Sequence, residues 1–101
     1  MVRLSGEITA ANAERIGRRL VEAARPGPAV LEVDLRNVTR LNTAGGTAFF
    51  MAWRAARAGG TSVSVTHVRR QPLGTLRRLG LARALGVYEG AGPRGRPRSE
   101  L

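Results

Sequence analysis

Glycine and proline breaks cut this sequence into short units, and they constrain the fold more than any other feature. Pro26-Gly27-Pro28, Gly59-Gly60 and Gly80 each close a segment with helical spacing. From Asn12 to Ala24 the residues Ala13, Ile16, Leu20 and Ala23 recur one turn apart, while Arg15, Arg18, Arg19 and Glu22 fall on other faces. Thr9 or Asn12 can cap that helix, and Glu14 pairs with Arg18 one turn on. The prolines cannot continue it. A second helix is predicted from Thr43 to Ala58, closed by Gly59-Gly60. Pro72 suits the first turn of a third, through Leu73, Leu76 and Leu79, with Gly80 as its stop.

Between these helices the apolar period changes to two. Val2 to Gly6 alternates as a short strand, with Gly6 marking a turn. From Ala29 to Leu35, Leu31, Val33 and Leu35 point one way and Val30, Glu32 and Asp34 the other. Arg36-Asn37 predicts a turn, after which Val38 and Leu41 give a loop its apolar anchors. Thr61 to Val68 alternates again, Val63 and Val65 against Ser62, Ser64 and Thr66, and the short apolar run from Leu81 ends as a strand at Val87-Tyr88. Gly90 to Leu101 holds Pro93, Pro97 and three Arg without apolar periodicity, and reads as a disordered basic tail. Strand and helix alternate, so an α/β sheet covered by helices is expected.

Composition narrows the function. The 101 residues suit one domain, and 43% hydrophobic residues suffice for one core. No run is long enough to cross a membrane, the first residues do not open a signal peptide, and cysteine is absent, so a cytoplasmic protein without membrane insertion is expected. The formal charge is +10, and all 17 basic residues are Arg, a usage that fits a coding background rich in Arg, Ala and Gly. Such a field attracts nucleic acid weakly and without sequence preference, and 4% aromatic residues leave few platforms for stacking bases. A basic nucleic-acid-binding domain therefore stays open only as an alternative. His67, the single histidine, has no Cys or acid at ligand spacing, the acids Glu7, Glu14, Glu22, Glu32, Asp34, Glu89 and Glu100 form no paired motif, and phosphate-loop, dinucleotide and nucleophile-elbow patterns are missing. No enzyme, metal site or cofactor is expected.

The stretch from Leu31 to Gly60, LEVDLRNVTRLNTAGGTAFFMAWRAARAGG, is the most informative. Asn42-Thr43 opens the second helix, and Ala44, Gly45 and Gly46 give its first turn little cover, so unpaired N–H groups face outward and favour negative charge. A phosphate on Thr43 would add about two negative charges there. The same residues also fit a plain cap followed by tight packing. On the helical wheel Phe50 falls inside the polar arc set by Thr47, Arg54 and Arg57, with Trp53 at its border, which suggests either an interaction surface or a face covered by another segment.

This stretch resembles the STAS family, the sulfate-transporter and anti-sigma-factor-antagonist domain. Asp34-Leu35, Gly45, the helix to Arg57, Gly59-Gly60, the Leu4-Ser5-Gly6-Glu7-Ile8 strand and the third helix through Leu76, Leu79 and Gly80-Leu81 all fit, over about residues 2 to 89. The resemblance implies a mixed sheet of about four strands with helices mainly on one side, a domain over 1–89 and a tail over 90–101. It also implies that the family's first edge strand is missing, leaving Val2 to Leu4 exposed or paired with a second copy as a homodimer. For the antagonist branch it implies binding to an anti-sigma factor of the serine/threonine kinase type, which phosphorylates Thr43. The partner surface would comprise Glu7, Ile8, Thr9, Asn42, Thr43, Ala44, Gly45 and Gly46, with Phe50 added from its place on the wheel. Asn42 stands where that branch has Asp, Ala44 replaces the second Ser, and Gly46-Thr47 replaces Leu-Gly. The Thr43-Ala44-Gly45 core also resembles the soluble STAS subunit that binds the ATPase of lipid-transport ABC complexes.

Overall fold

The computed structural model describes residues 1–92. The alternating segments become strands β1 (Val2–Ile8), β2 (Val30–Leu41), β3 (Ser62–Thr66) and β4 (Gly86–Val87), and the periodic ones become helices α1 (Ala13–Ala24), α2 (Thr47–Ala58), α3 (Arg70–Arg78) and α4 (Leu81–Ala84). A single 3-10 turn, Ala44–Gly46, precedes α2. The strands lie in the order β1-β2-β3-β4 and every pair is parallel, which corrects the mixed sheet expected from sequence. Each described strand returns to the next through helix, and that connection is what parallel pairing requires.

Val2, Val33, Val65 and Val87 run side by side across the four strands. With Leu4, Leu31, Leu35 and Val63 they face Leu20 and Ala24 of α1 and Phe49, Ala52 and Ala56 of α2 in one core. The other face of the sheet carries Arg3, Ser5, Ser62 and Glu32, exposed or half-buried, so the helices gather mainly on one side. No helix among the described residues is long and apolar enough to cross a membrane.

β2 is far longer than the alternation of 29–35 suggests. Its register against β1 slips twice, between Arg3/Ser5 and between Gly6/Glu7. The sequence turn at Arg36-Asn37 is the first of these bulges. Each bulge adds a residue, so the buried positions Leu35, Val38 and Leu41 fall three apart instead of two. Gly6, likewise expected to turn the chain, stays inside β1 at φ 81°, a conformation that suits glycine. β1 forms the outer edge of the sheet among the described residues, with Val2 and Leu4 buried against the core. The segment expected to be a tail is packed as far as Gly92: Gly90 O accepts the His67 N–H at 2.8 Å, and Gly92 is buried. Residues 93–101 lie outside the described residues.

The pairing of β3 with β2 stops at Asp34, so the second half of β2 needs other partners on that edge. α3 supplies them. Gln71 Oε1 accepts the Leu41 N–H at 2.7 Å while Gln71 Nε2 donates to Leu41 O at 3.0 Å, as a neighbouring strand would. Thr75 Oγ1 donates to the same carbonyl at 2.6 Å, and Arg69 Nε donates to Arg36 O at 2.8 Å. Gln71→Leu should leave the Leu41 N–H without its partner and the Leu41 carbonyl with Thr75 alone, and cost about 1–3 kcal/mol in denaturant unfolding.

At the first bulge Asp34 is 1% exposed. Its Oδ1 accepts the Arg36 N–H at 2.8 Å, and Oδ2 faces Arg36 Nε at 3.3 Å and Arg3 Nε at 3.5 Å. Burial pushes the Asp34 carboxyl up, but the Arg36 N–H and guanidinium, with His67 and Arg3, outweigh it and hold the group below its ordinary value. A depressed folded-state value means that the unfolded chain takes up the proton first. The contribution is therefore complete above the ordinary carboxylate range and is lost as pH falls through the folded-state value. Asp34→Asn should flatten the dependence of unfolding free energy on pH below roughly pH 4, measured by urea titration at stepped pH.

Candidate functional site

The ends of β1 and β2 lie in register, with Glu7 beside Arg40 and Ile8 beside Leu41, so the two loops that follow emerge together. They are joined at once: the Asn42 N–H donates to Ile8 O at 3.1 Å. The first loop is held by Asn12, whose Oδ1 accepts the Thr9 N–H and whose Nδ2 donates to Glu7 O, both at 2.9 Å. Asn12 therefore ties residues 7–12 together, and its side chain does not cap α1. Thr9 Oγ1 accepts the Ala11 N–H at 3.1 Å.

In the second loop Asn42 Oδ1 accepts the Gly45 N–H at 2.7 Å, and the Gly46 N–H donates to the carbonyls of Asn42 and Thr43 at 3.1 Å. The Thr47 N–H reaches the carbonyls of Ala44 and Gly45. The row of free N–H groups expected at this helix end is thus mostly used up inside the turn, because residues 44–46 wind as 3-10 and Asn42 reaches back over them. Thr43 and Ala44 are exposed, and the Thr43 hydroxyl makes no hydrogen bond among the described residues.

The structure gathers Glu7, Thr9, Asn42, Thr43 and Ala44 on one end of the sheet, exposed or half-buried. It removes three expected contact residues from the surface. Ile8 is fully buried as a core side chain, and Gly45 and Gly46 are buried beneath the turn, so these three support the loops that carry the exposed residues. Gly45 is required by close approach, since a Cβ there would run into the backbone carbonyl of Ile8. Phe50 is 48% exposed, as its place on the polar arc predicts.

Leu79, read from the sequence as part of the third helix, belongs to the same surface, and Leu81 lies buried beneath it. With Thr43, Gly46, Thr47 and Phe50 they line a small pit of about 150 Å³. Leu79 is 37% exposed because α3 ends at Arg78 and Gly80, at φ 78°, swings the chain into α4. A leucine placed directly before a helix-stopping glycine was the available signal. His67 stands elsewhere, with Nε2 2.9 Å from Arg36 Nη2, and the described residues contain no group of three His, Cys, Asp or Glu able to hold a metal ion.

Residues 1–87 match the model of a family described as "Mlab, STAS domain". No curated protein matches the chain. Among solved structures, a sulfate transporter family protein from Wolinella succinogenes superposes with a TM-score of 0.74 at 22% identity, over 88% of this chain and 75% of that one. At that identity the likeness speaks for the fold.

The approach of Gly45 to β1 gives a direct test of how the site is held. Gly45→Ala must push the turn away from a backbone carbonyl, which cannot rotate aside. It should cost about 1–3 kcal/mol in thermal or denaturant unfolding, with the amide signals of Ile8 and Asn42 shifting together in NMR spectra.

Proposed function

We propose that this chain, which belongs to the STAS domain family, is a protein-binding switch that takes up an anti-sigma factor of the kinase type and releases it when Thr43 is phosphorylated. The observation that carries this reading is the exposed, unbonded Thr43 hydroxyl at the junction of the two loops. Around it Glu7, Thr9, Asn42 and Ala44 offer polar and small contacts on a rigid base. The reaction moves the γ-phosphoryl group of ATP to Thr43 Oγ; the hydroxyl proton leaves and ADP is released. The new dianion receives little from its own helix, because the N–H groups of Gly45, Gly46 and Thr47 already have acceptors. Its charge would lie desolvated against the partner, and the complex would weaken.

A second reading has its own support: a subunit that binds the ATPase of a lipid-transport ABC complex. The Thr43-Ala44-Gly45 core and Asn42 in place of an acid favour it, and the matching family carries the words "Mlab, STAS domain". Here Thr43 is a contact residue and is never modified.

Purified protein incubated with ATP and a kinase-type anti-sigma factor of its own genome separates the two. The switch reading expects phosphate on Thr43 by mass spectrometry and a loss of about 2–4 kcal/mol of binding in Thr43→Glu, with Thr43→Ala losing much less. Failure of that pair to bind, alongside a stable complex with the ATPase and no modification, would transfer the function to the second reading. Unchanged binding of Thr43→Glu to both partners would refute the placement of the surface.

A further inference from the structure

The outward face of α2 carries a ladder of side chains of which the partner surface above includes Phe50 alone. Phe50, Trp53 and Arg57 stand at positions i, i+3 and i+7, about 10 Å along the helix. The Phe50 and Trp53 ring centroids are 5.7 Å apart, and the Arg57 guanidinium lies 5.4 Å over the Trp53 ring. At one end the ladder meets the apolar pit beside Thr43. At the other it opens into a groove of about 520 Å³ between α2 and the segment 83–88, lined among others by Val30, Trp53, Arg57, Arg83 and Tyr88. No carboxylate lines either recess among the described residues, and neither Arg57 nor Arg83 has an ion pair there.

We infer that this strip docks an acidic amphipathic segment of a protein partner, which seats an apolar side chain in the pit and sets its carboxylates against Arg57 and Arg83. The inference rests on the protein-binding reading above and names the chemistry of the partner. An exposed Phe50 stacked on a half-buried Trp53 beside an apolar pit is the arrangement of an anchor site, and a cation held over an aromatic ring is preorganised for a carboxylate. Charge selects among occupants. A second copy of this chain brings +10 to a positive strip. The chain's own residues 93–101 bring three Arg and one Glu. A segment rich in Glu or Asp is attracted by the same field.

Trp53 is the only tryptophan, so its fluorescence reports the strip directly. The probe is a synthetic peptide of Leu, Ala and Glu about 14 residues long, roughly four helical turns, with leucines on one face and glutamates flanking them. Its control is an isomer of scrambled order and equal charge. The amphipathic peptide should shift Trp53 emission to shorter wavelength and bind about tenfold tighter than the isomer. Phe50→Ser, and separately Arg57→Glu with Arg83→Glu, should each weaken it about tenfold with circular dichroism unchanged, while Arg18→Glu with Arg19→Glu on α1 should stay within about twofold.

Equal binding of the two peptides, or equal loss in the α1 control, would reduce the effect to net charge and overturn the proposal. So would a strip-dependent Trp53 shift produced by phosphatidylglycerol vesicles, or by self-association in sedimentation, in place of the peptide. The outcome is independent of the switch: peptide binding that depends on the strip, with no effect of Thr43→Glu on the kinase partner, would keep the strip and remove the phosphorylation reading.

Discussion

Leu41 is a single residue at which the sheet, a helix and the functional loop are joined. Its side chain is fully buried, and its N–H and carbonyl take the amide of Gln71 while the carbonyl also takes the Thr75 hydroxyl. These contacts answer a structural problem. β2 runs to Leu41, whereas its pairing with β3 ends at Asp34. A strand edge left open toward the protein would strand polar backbone groups away from water. α3 closes that edge with side chains, and because Gln71 copies both halves of a strand's hydrogen bonding, the backbone leaves β2 in one fixed direction. Asn42 follows immediately, bonded to Ile8 of β1, and so Thr43 is presented by two strands and a helix at once.

The charges divide along the same line. Asp34 is the buried acid of the sheet, and Arg3, Arg36 and the Arg36 N–H satisfy it. That arrangement stabilises the bulge at which β2 changes register. The Thr43 end is different: its described contact residues include Glu7, and its polar atoms are largely bound to one another. A carboxylate at position 42 would have added a charge next to Thr43. Asn42 accepts the Gly45 N–H through the same oxygen position, so the turn keeps its geometry without that charge.

Much of this was legible in the sequence. The apolar periods and the glycine stops place α1, α2, α3 and the cores of β2 and β3, because burial on one face dictates those periods. Phe50 was visible as an apolar residue on a polar arc. What stayed hidden depended on contacts between distant segments. A bulge obeys no local period, so Arg36-Asn37 read as a turn while Val38 and Leu41 read as loop anchors. Gln71 and Thr75 carry no local signal of their role, since nothing local says that a strand edge waits beside them. Ile8, Gly45 and Gly46 were expected on a partner surface and are buried, because proximity to a motif does not reveal which residues point inward.

The pit and the phosphorylatable hydroxyl share Thr43, and this has a physical consequence for any partner that uses both. The recess between Thr43, Phe50, Leu79 and Leu81 is apolar, so it rewards a side chain that brings no charge. A phosphate on its rim would bring about two negative charges to that recess, where the helix end has few free N–H groups left to meet them. For a neutral partner the cost would be desolvation alone. For an acidic segment held along Arg57 and Arg83, the added repulsion would act on the same molecule that the arginines attract. The strip would then hold its partner at one end and Thr43 would expel it at the other, and because Phe50 and Trp53 sit on the same helix, the two ends cannot adjust independently. Release would thus follow from the sign of the partner's charge, without a change of fold.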